Sequence, residues 1–502
     1  MEAGARPAGS LAAPVLGGLR WKAAAQAVDL CTRAVVAVLL ARLLGPHELG
    51  LAAMAFAFSA LGQAFADAAM TTAIVQRRHL TELDRSTAFW MSLAAGALLA
   101  LLGVAASGLV AAFFAEPRVR ALFAVLSAGF VVGALGAVPA ALLARALDFR
   151  RLELAGIAGS LLGAAVAVAA AAAGAGAAAV VARSLADLSL TTALLWRAVA
   201  WRPRLVFSAA SLRDLGAFGL DVLGSRLFFY LQRNADNLLV GRFLGASSLG
   251  AYALAYNLVL LPFAQLADPL RTVLFPVLAG IQDDRERVAA VWLRATRVLA
   301  AVLLPVLLGL VVMAPDFVAV VLGPRWHPAA GPLRVLAVVG GAQSLIAINS
   351  VVLTALGHTR ALLRFSILTF LLSLLGFAIG LKWGLVGVSV GYLAANAIIV
   401  PLYLRLTARA VSVSVRQAAA ALAGVTKAAT ATLFCVLAAR AGLLAAGTPA
   451  SVRLAAVTAI GAAAFAALAA RHAPELRDEL RIARQALAAP GKPTHAATRP
   501  AR

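Results

Sequence analysis

Several arginines of this chain lie inside long apolar runs, where a charged side chain is costly to place. A charge in hydrocarbon is unfavourable unless it faces water or a partner, so an arginine kept there is a candidate for binding. Its planar guanidinium suits a phosphate or diphosphate, because it donates two parallel hydrogen bonds and stays charged. We expect four arginines to contact such an anionic ligand: Arg33, Arg226, Arg233 and Arg271.

Four aspartates lie in the same apolar runs. A buried carboxylate can hold a proton at neutral pH, so we take them as candidates for ion or proton coupling: Asp29, Asp67, Asp236 and Asp268. Asp29 precedes Arg33 by four residues, the spacing of a helical ion pair, so mutual neutralisation remains an alternative role for both. Asp236 has the alternative role of pairing with an arginine or pinning a helix end. For Arg183 and Asp187, also four apart, neutralisation is the favoured interpretation.

The sequence lacks the motifs of common catalytic and metal sites. The six histidines are scattered, and the patterns HExxH, paired CxxC and GxxxxGK[ST] do not occur. Cys31 and Cys435 lie in separate apolar runs and resemble neither a disulfide framework nor a metal site. We therefore expect no catalytic residue, no metal and no cofactor.

The elements that position these charges are predicted to be helices that cross a membrane. Of the 502 residues, 63% are hydrophobic and 13% are charged, whereas soluble domains are closer to half and a quarter. Apolar runs of about 20 residues recur along nearly the whole chain. Because these runs are continuous rather than alternating, we predict an all-α polytopic membrane protein with about fourteen transmembrane helices.

The distribution of basic residues predicts the orientation in the membrane. The net charge of +23 could suggest a nucleic-acid partner, but the basic residues fall mainly between the apolar runs on alternate sides. With the N-terminus in the cytoplasm, 29 of the 44 lysines and arginines lie in inner segments and nine in outer ones. The positive-inside rule then predicts that both termini are cytoplasmic. We expect no nucleic-acid partner.

An internal repeat relates the two halves of the chain at an offset of 200 residues. ARLLGPHELGL at residues 41–51 corresponds to GRFLGASSLGA at residues 241–251, and Arg33 corresponds to Arg233. The offset relates the first predicted helix (20–43) to the seventh (214–241). Because an even number of helices separates equivalent helices, both halves run through the membrane in the same direction. Such a parallel repeat predicts two six-helix lobes around a central cavity, followed by two C-terminal helices.

The predicted organisation has six parts. They are a cytoplasmic N-terminal segment at 1–19, an N-lobe at 20–198, a cytoplasmic linker at 199–213, a C-lobe at 214–408, helices 13 and 14 at 409–472, and a basic cytoplasmic tail at 473–502.

The segment NADNLLVGRFLGASSLGAYALAYNL, followed by PFAQLADPLRTVLFPVLA, resembles the signature region of Wzx-type polysaccharide flippases. These proteins belong to the multidrug/oligosaccharidyl-lipid/polysaccharide exporter superfamily. LLARLLGPHELGLAAMAF and LGQAFADAAMTTAIVQR resemble the N-terminal counterpart, so that the resemblance spans roughly residues 20–410. It implies that the protein moves undecaprenyl-diphosphate-linked oligosaccharide from the inner to the outer leaflet of the cytoplasmic membrane for polysaccharide biosynthesis, by alternating access.

The implied partners are the lipid-linked oligosaccharide, membrane lipids, and a polysaccharide polymerase with its export machinery. Three alternatives remain open. A peptidoglycan-precursor flippase would share the cationic cavity. A drug/cation antiporter of the same superfamily would have a more acidic or aromatic cavity. A membrane glycosyltransferase or polymerase would show a sizeable outer loop with acidic residues, which the short predicted loops do not provide.

Overall fold

The computed structural model describes residues 12–66, 80–206 and 208–476, without the side chains of residues 12–27, 29, 61, 63–66, 209–227 and 229. Every regular element in these ranges is a helix, which confirms the predicted all-α class. The α-helices are α1 Ala12–Ala66, α2 Glu82–Phe114, α3 Arg118–Arg145, α4 Phe149–Ala172, α5 Ala178–Ala198, α6 Ala209–Gly280, α7 Arg285–Phe317, α8 Ala330–Ser344, α9 Asn349–Ala355, α10 Thr359–Gly380, α11 Gly384–Ala410, α12 Val415–Ala445 and α13 Ala450–His472.

The helices are long and apolar enough to cross a membrane in eleven stretches of the described chain. Four of these stretches contain a break, at Gly45, at Gly245, at residues 345–348 and at Leu381–Trp383. Length and composition do not show which segments cross, so the count of crossings stays a prediction, whereas the multi-pass helical architecture is confirmed.

The first repeat is held together by small residues that allow helices to approach closely. Val36 and Leu40 of α1 pack with Ala167 and Ala171 of α4 and with α5. The sequence AAAAAGAGAAAVV at residues 169–181 turns between α4 and α5 at Gly174 and Gly176, whose φ angles are 83° and 57°. Close packing of Ala-rich and Gly-rich helices is a common way to build membrane bundles.

The contacts within the chain divide it into two compact units. Unit 1 comprises residues 1–257, 318–332 and 370–392, and unit 2 comprises residues 258–317, 333–369 and 393–502. The boundary between the two units falls inside the predicted C-lobe. The first part of that lobe, which contains Gly245, belongs to unit 1 together with the whole predicted N-lobe. The lobe boundaries predicted from the sequence stay a prediction.

Within unit 2, the two C-terminal helices are attached to α7. Val312 and Met313 of α7 pack with Val436 of α12 and Val457 of α13. Close by, the buried carboxylate of Asp316 accepts hydrogen bonds from two arginines. Arg440 approaches one oxygen to 2.7 Å and Arg453 approaches the other to 2.6 Å. Helices 13 and 14 of the prediction are therefore joined to the preceding fold by a buried ion cluster as well as by apolar packing.

Replacing Asp316 by asparagine is expected to destabilise the protein strongly. The change leaves two largely buried guanidinium groups without their counter-charge, and removing one partner of a buried pair costs roughly 3–5 kcal/mol. Thermal unfolding of the detergent-purified protein measures the effect as a lower Tm. Asp148→Asn is the matched control, because Asp148 pairs with the exposed Arg151 at 3.5 Å within one helix turn. An Asp316→Asn Tm equal to that of the control would contradict a structural role for the cluster.

Candidate functional site

Arg33 and Arg233 lie at equivalent places in the two repeats, each twelve residues before its glycine turn. At 1.5 Å per helical residue this is about 18 Å from the turn, near the middle of a hydrocarbon core of about 30 Å. Both side chains are exposed on their helices rather than packed in the protein interior. The structure thus places the two repeat-related arginines at the same distance along the helix from equivalent glycine turns.

Asp236 of α6 is buried, one turn after Arg233. Its carboxylate accepts a hydrogen bond from the hydroxyl of Tyr252 at 3.1 Å and from the backbone N–H of Asn237 at 2.7 Å. The side-chain oxygen of Asn237 is also buried and has no hydrogen-bond partner among the described residues. The carboxylate of Asp236 and the unsatisfied side-chain oxygen of Asn237 can therefore accept further hydrogen bonds inside unit 1.

Three tyrosines continue from Asp236 through the same unit. The rings of Tyr252 and Tyr256 stack with centroids 6.1 Å apart, and Tyr256 is hydrogen-bonded to Tyr392. We name Asp236, Tyr252, Tyr256 and Tyr392 the tyrosine chain. Its counterparts in the first repeat, at the offset of 200, are apolar for the α6 members: Val36, Ala52 and Phe56. Only the second repeat therefore carries this polar network.

Arg271 and Asp268 lie together in unit 2. Arg271 donates from one terminal nitrogen to Asp268 at 2.8 Å and from Nε to the carbonyl oxygen of Ala347 at 2.8 Å. Ala347 belongs to the turn that separates α8 from α9. Arg271 is therefore already engaged by a carboxylate, and a ligand would have to compete with Asp268 for it.

Three of the predicted site residues lie wholly or in their side chains outside what the structure describes. The side chains of Asp29 and Arg226 and the whole of Asp67 lie outside the described residues, so their predicted roles stay predictions. Arg33, Arg183 and Asp187 each have further interactions in the structure. The binding and coupling roles of all eight predicted site residues stay predictions.

The two glycine turns adopt the same backbone conformation. Gly45 has φ 76° and ψ 173°, and Gly245 has φ 81° and ψ 176°. Positive φ is the region that glycine adopts without strain, so the first helical segment of α1 ends at Gly45 and that of α6 ends at Gly245. The shared geometry supports the repeat at the offset of 200.

The two turns pack against each other through their backbones. A Cβ atom on Gly50 would overlap the carbonyl oxygen of Ala246, and a Cβ atom on Gly250 would overlap that of Pro46. His47 and Ser247, also 200 residues apart, meet at 3.5 Å between Nδ1 and Oγ. We name this reciprocal contact the turn seal. The sequence matched Gly50 with Gly250, but it did not indicate that the two touch.

Other bonds at the same end act within the first repeat and between the first repeat and the segment after α7. Glu48 forms two hydrogen bonds with Arg118, at 2.7 and 2.9 Å, and accepts a third from the backbone N–H of Ala177 at 2.7 Å. Arg42 donates to the carbonyl oxygens of Val320 and Val321 at 2.7 and 2.9 Å. The start of α3, the start of α5 and the segment after α7 are thereby tied to the Gly45 turn.

Replacing Gly50 by alanine is expected to force the turn seal apart. The added methyl group meets a backbone oxygen rather than a flexible side chain, so the two turns must separate. A Ser247→Cys probe in a background without Cys31 and Cys435 would then react faster with a membrane-impermeant thiol reagent. Gly108→Ala is the matched control, because a Cβ atom there meets nothing within 4 Å. Equal labelling rates in the two variants would contradict the contact.

These features define a multi-pass helical membrane protein built from two parallel repeats, with charged residues within its long apolar helices and a backbone contact between the two glycine turns. This is the architecture of an alternating-access transporter. A family of proteins described as polysaccharide biosynthesis protein matches residues 39–331. The match covers more than half of the chain, and the protein belongs to this family. The Wzx-type resemblance predicted from the sequence is confirmed.

Individual relatives agree with this assignment. The chain is 28% identical over 392 residues to the lipopolysaccharide biosynthesis protein WzxC of Escherichia coli (strain K12), covering 78% of this chain and 80% of that protein. It is 28% identical to the teichuronic acid biosynthesis protein TuaB of Bacillus subtilis (strain 168), covering 70% of this chain and 73% of that protein.

Solved structures show the same fold. The lipid II flippase MurJ in an inward closed conformation superposes with a TM-score of 0.74 at 15% identity, over 91% of this chain and 99% of that one. An inward-facing MATE-family multidrug transporter superposes with a TM-score of 0.60 at 18% identity, over 76% of this chain and 94% of that one. At these identities the likeness concerns the fold alone.

Proposed function

We propose that this protein flips undecaprenyl-diphosphate-linked oligosaccharide units from the inner to the outer leaflet of the cytoplasmic membrane during polysaccharide biosynthesis. The observation that carries the proposal is the pair Arg33 and Arg233, each of which lies twelve residues before the glycine turn of its repeat. A diphosphate carries its charge at one end of a long lipid, and arginine is the side chain best suited to bind it in a bidentate manner.

The chemistry is transport rather than bond making. A parallel repeat predicts two lobes, and rocking of one lobe against the other around the binding site would expose the bound diphosphate to each side in turn. The orientation follows from the 29 inner and nine outer basic residues, which put both termini in the cytoplasm and the turn seal on the outer face. A polysaccharide polymerase and export machinery would take up the flipped product.

The tyrosine chain makes Asp236 the most strongly supported coupling residue. Its buried carboxylate can exchange a proton, or bind a cation together with the unsatisfied oxygen of Asn237. An Asp236→Asn variant keeps the shape and the acceptor for Tyr252, but it cannot exchange a proton. We expect its flipping rate to lose dependence on pH or on Na⁺, measured in proteoliposomes across a series of each.

The matched control for this prediction is Asp283→Asn, which removes an exposed carboxylate in the turn between α6 and α7. It should keep the wild-type dependence. If Asp29→Asn, Asp67→Asn, Asp236→Asn and Asp268→Asn all kept the wild-type dependence, carboxylate coupling would be excluded.

Gene deletion tests the proposed function directly. Lipid-linked repeat units should accumulate on the cytoplasmic face, and the surface polysaccharide should be lost until the gene is restored. A strain lacking the polymerase is the comparison, because its repeat units should accumulate on the outer face instead. Absence of cytoplasmic accumulation would reject the proposal, and rescue of a strain depleted of its lipid II flippase would instead identify a peptidoglycan-precursor flippase.

A further inference from the structure

The linker that follows α5 is held against the end of α2 by hydrogen bonds. We name residues 199–206 the linker strap. Trp90 of α2 donates to the carbonyl oxygen of Arg204 at 2.8 Å, and the backbone N–H of Arg204 donates to Ser86 Oγ at 3.2 Å. The indole of Trp201 donates to Glu82 at 2.7 Å. The strap therefore has a fixed course over α2, unlike a free loop.

A cluster of aromatic rings packs around Trp201 of the strap. Trp196, at the end of α5, stacks on Trp201 with centroids 6.1 Å apart and an interplanar angle of 17°. Phe89 contacts both rings edge-on, at 5.7 and 6.1 Å. Indole rings concentrate where hydrocarbon meets lipid headgroups, because one edge is polar and the body is apolar. The cluster marks this end of α5 as the membrane boundary.

Exposed arginines surround the rings. Arg197, Arg202 and Arg204 are all exposed, and none forms an ion pair with a carboxylate that the structure describes. The chain contains no acidic residue from Leu188 to Arg213. The Arg202 guanidinium lies 5.4 Å from the ring centroid of Trp196 and donates to two carbonyl oxygens of the strap, so its position is fixed.

Beside the arginines the strap presents apolar side chains outward. Leu205 is 89% exposed and Val206 is 39% exposed. Apolar side chains next to fixed arginines and indoles match the layered chemistry of a bilayer surface, with acyl chains beneath phosphates. An acidic protein partner would match the charge of the three arginines. It would not explain why exposed apolar side chains lie beside those arginines at a membrane boundary.

We infer that the linker strap binds the phosphate headgroups of anionic phospholipids through Arg197, Arg202 and Arg204, while Leu205 inserts among the acyl chains. The leaflet is the cytoplasmic one, which rests on the orientation in the proposed function. The binding itself does not depend on the transported substrate. The strap connects the two repeats, so the bound lipids anchor the segment between them at the bilayer surface.

Native mass spectrometry of the full-length protein tests the inference, with phosphatidylglycerol and phosphatidylcholine as probes. The variant combines Arg197→Gln, Arg202→Gln and Arg204→Gln. Each arginine near an anionic surface contributes about fivefold to binding, so retention of phosphatidylglycerol should fall on the order of 100-fold while that of phosphatidylcholine stays unchanged. Arg120→Gln, Arg242→Gln and Lys382→Gln form the matched control, which removes the same charge at other exposed positions.

A photo-crosslinking amino acid in place of Leu205 gives a second readout that leaves all three arginines intact. In membranes it should label phosphatidylglycerol in preference to phosphatidylcholine. Labelling of a protein instead, or equal lipid retention in the two triple variants, would overturn the inference. A failed flipping assay with normal lipid retention would count against the proposed function alone.

Discussion

In a His47→Cys, Ser247→Cys double variant, oxidation is expected to stop the flipping of lipid-linked oligosaccharide, and reduction is expected to restore it. The two native side chains meet across the turn seal at 3.5 Å, so a disulfide would join the repeats at the end where their backbones already touch. An alternating-access cycle must part this contact to release substrate on that side. A covalent bond there should trap the protein with the seal closed.

The measurement is flipping in proteoliposomes, before and after oxidation, in a background without Cys31 and Cys435. The single variants His47→Cys and Ser247→Cys, oxidised in the same way, are the matched controls, because neither can form a bond between the repeats. Both should keep flipping nearly intact. Full activity of the oxidised His47→Cys, Ser247→Cys variant would mean that the two turns stay in contact throughout the transport cycle.

The second large effect is expected from Arg33→Gln combined with Arg233→Gln. A hydrogen bond to a charged group is worth roughly 1.5–3 kcal/mol, which corresponds to about a 10- to 100-fold loss for each arginine that contacts the diphosphate. We expect the double variant to flip substrate at a background rate. Lysine at both positions should recover part of the activity, because it keeps the charge but not the bidentate geometry.

Arg183→Gln together with Asp187→Asn is the control for this prediction. It removes charge from a membrane segment of the first repeat while keeping the net charge unchanged. Retention of a polyprenyl-diphosphate probe by the purified protein separates a binding defect from a defect in a later step of transport, and the Tm of each variant shows whether it is folded. Wild-type retention in the Arg33→Gln, Arg233→Gln variant would refute the assignment of these arginines to the diphosphate.

The helical architecture was predictable because it is a local property of the sequence. Continuous apolar runs and basic segments between them need no knowledge of long-range contacts. The equivalence of Gly45 with Gly245 was also predictable, because similar sequences at the repeat offset are expected to adopt the same backbone conformation. The turn seal was not predictable from the sequence, because similarity between two segments does not show that they are in contact.

The tyrosine chain illustrates the same limit for the candidate site. Tyr252 and Tyr256 are four residues apart and could be placed on one helix face from the sequence. Tyr392 is far along the chain, and only the folded structure brings it to Tyr256. Likewise, the spacing of Arg271 and Asp268 permits a helical pair, but the carbonyl oxygen of Ala347 that completes the environment of Arg271 depends on the turn after α8.

The reciprocal form of the turn seal has a consequence for how the chain arose. Gly50 meets residue 246 and Gly250 meets residue 46, so each partner in the contact is exchanged when 200 is added or subtracted. This is the pattern of an isologous interface, in which two identical subunits present the same patch to each other. Two separate single-repeat chains would make the same contact as a homodimer, so the geometry is that expected if the chain arose by duplication and fusion of a dimerising ancestor.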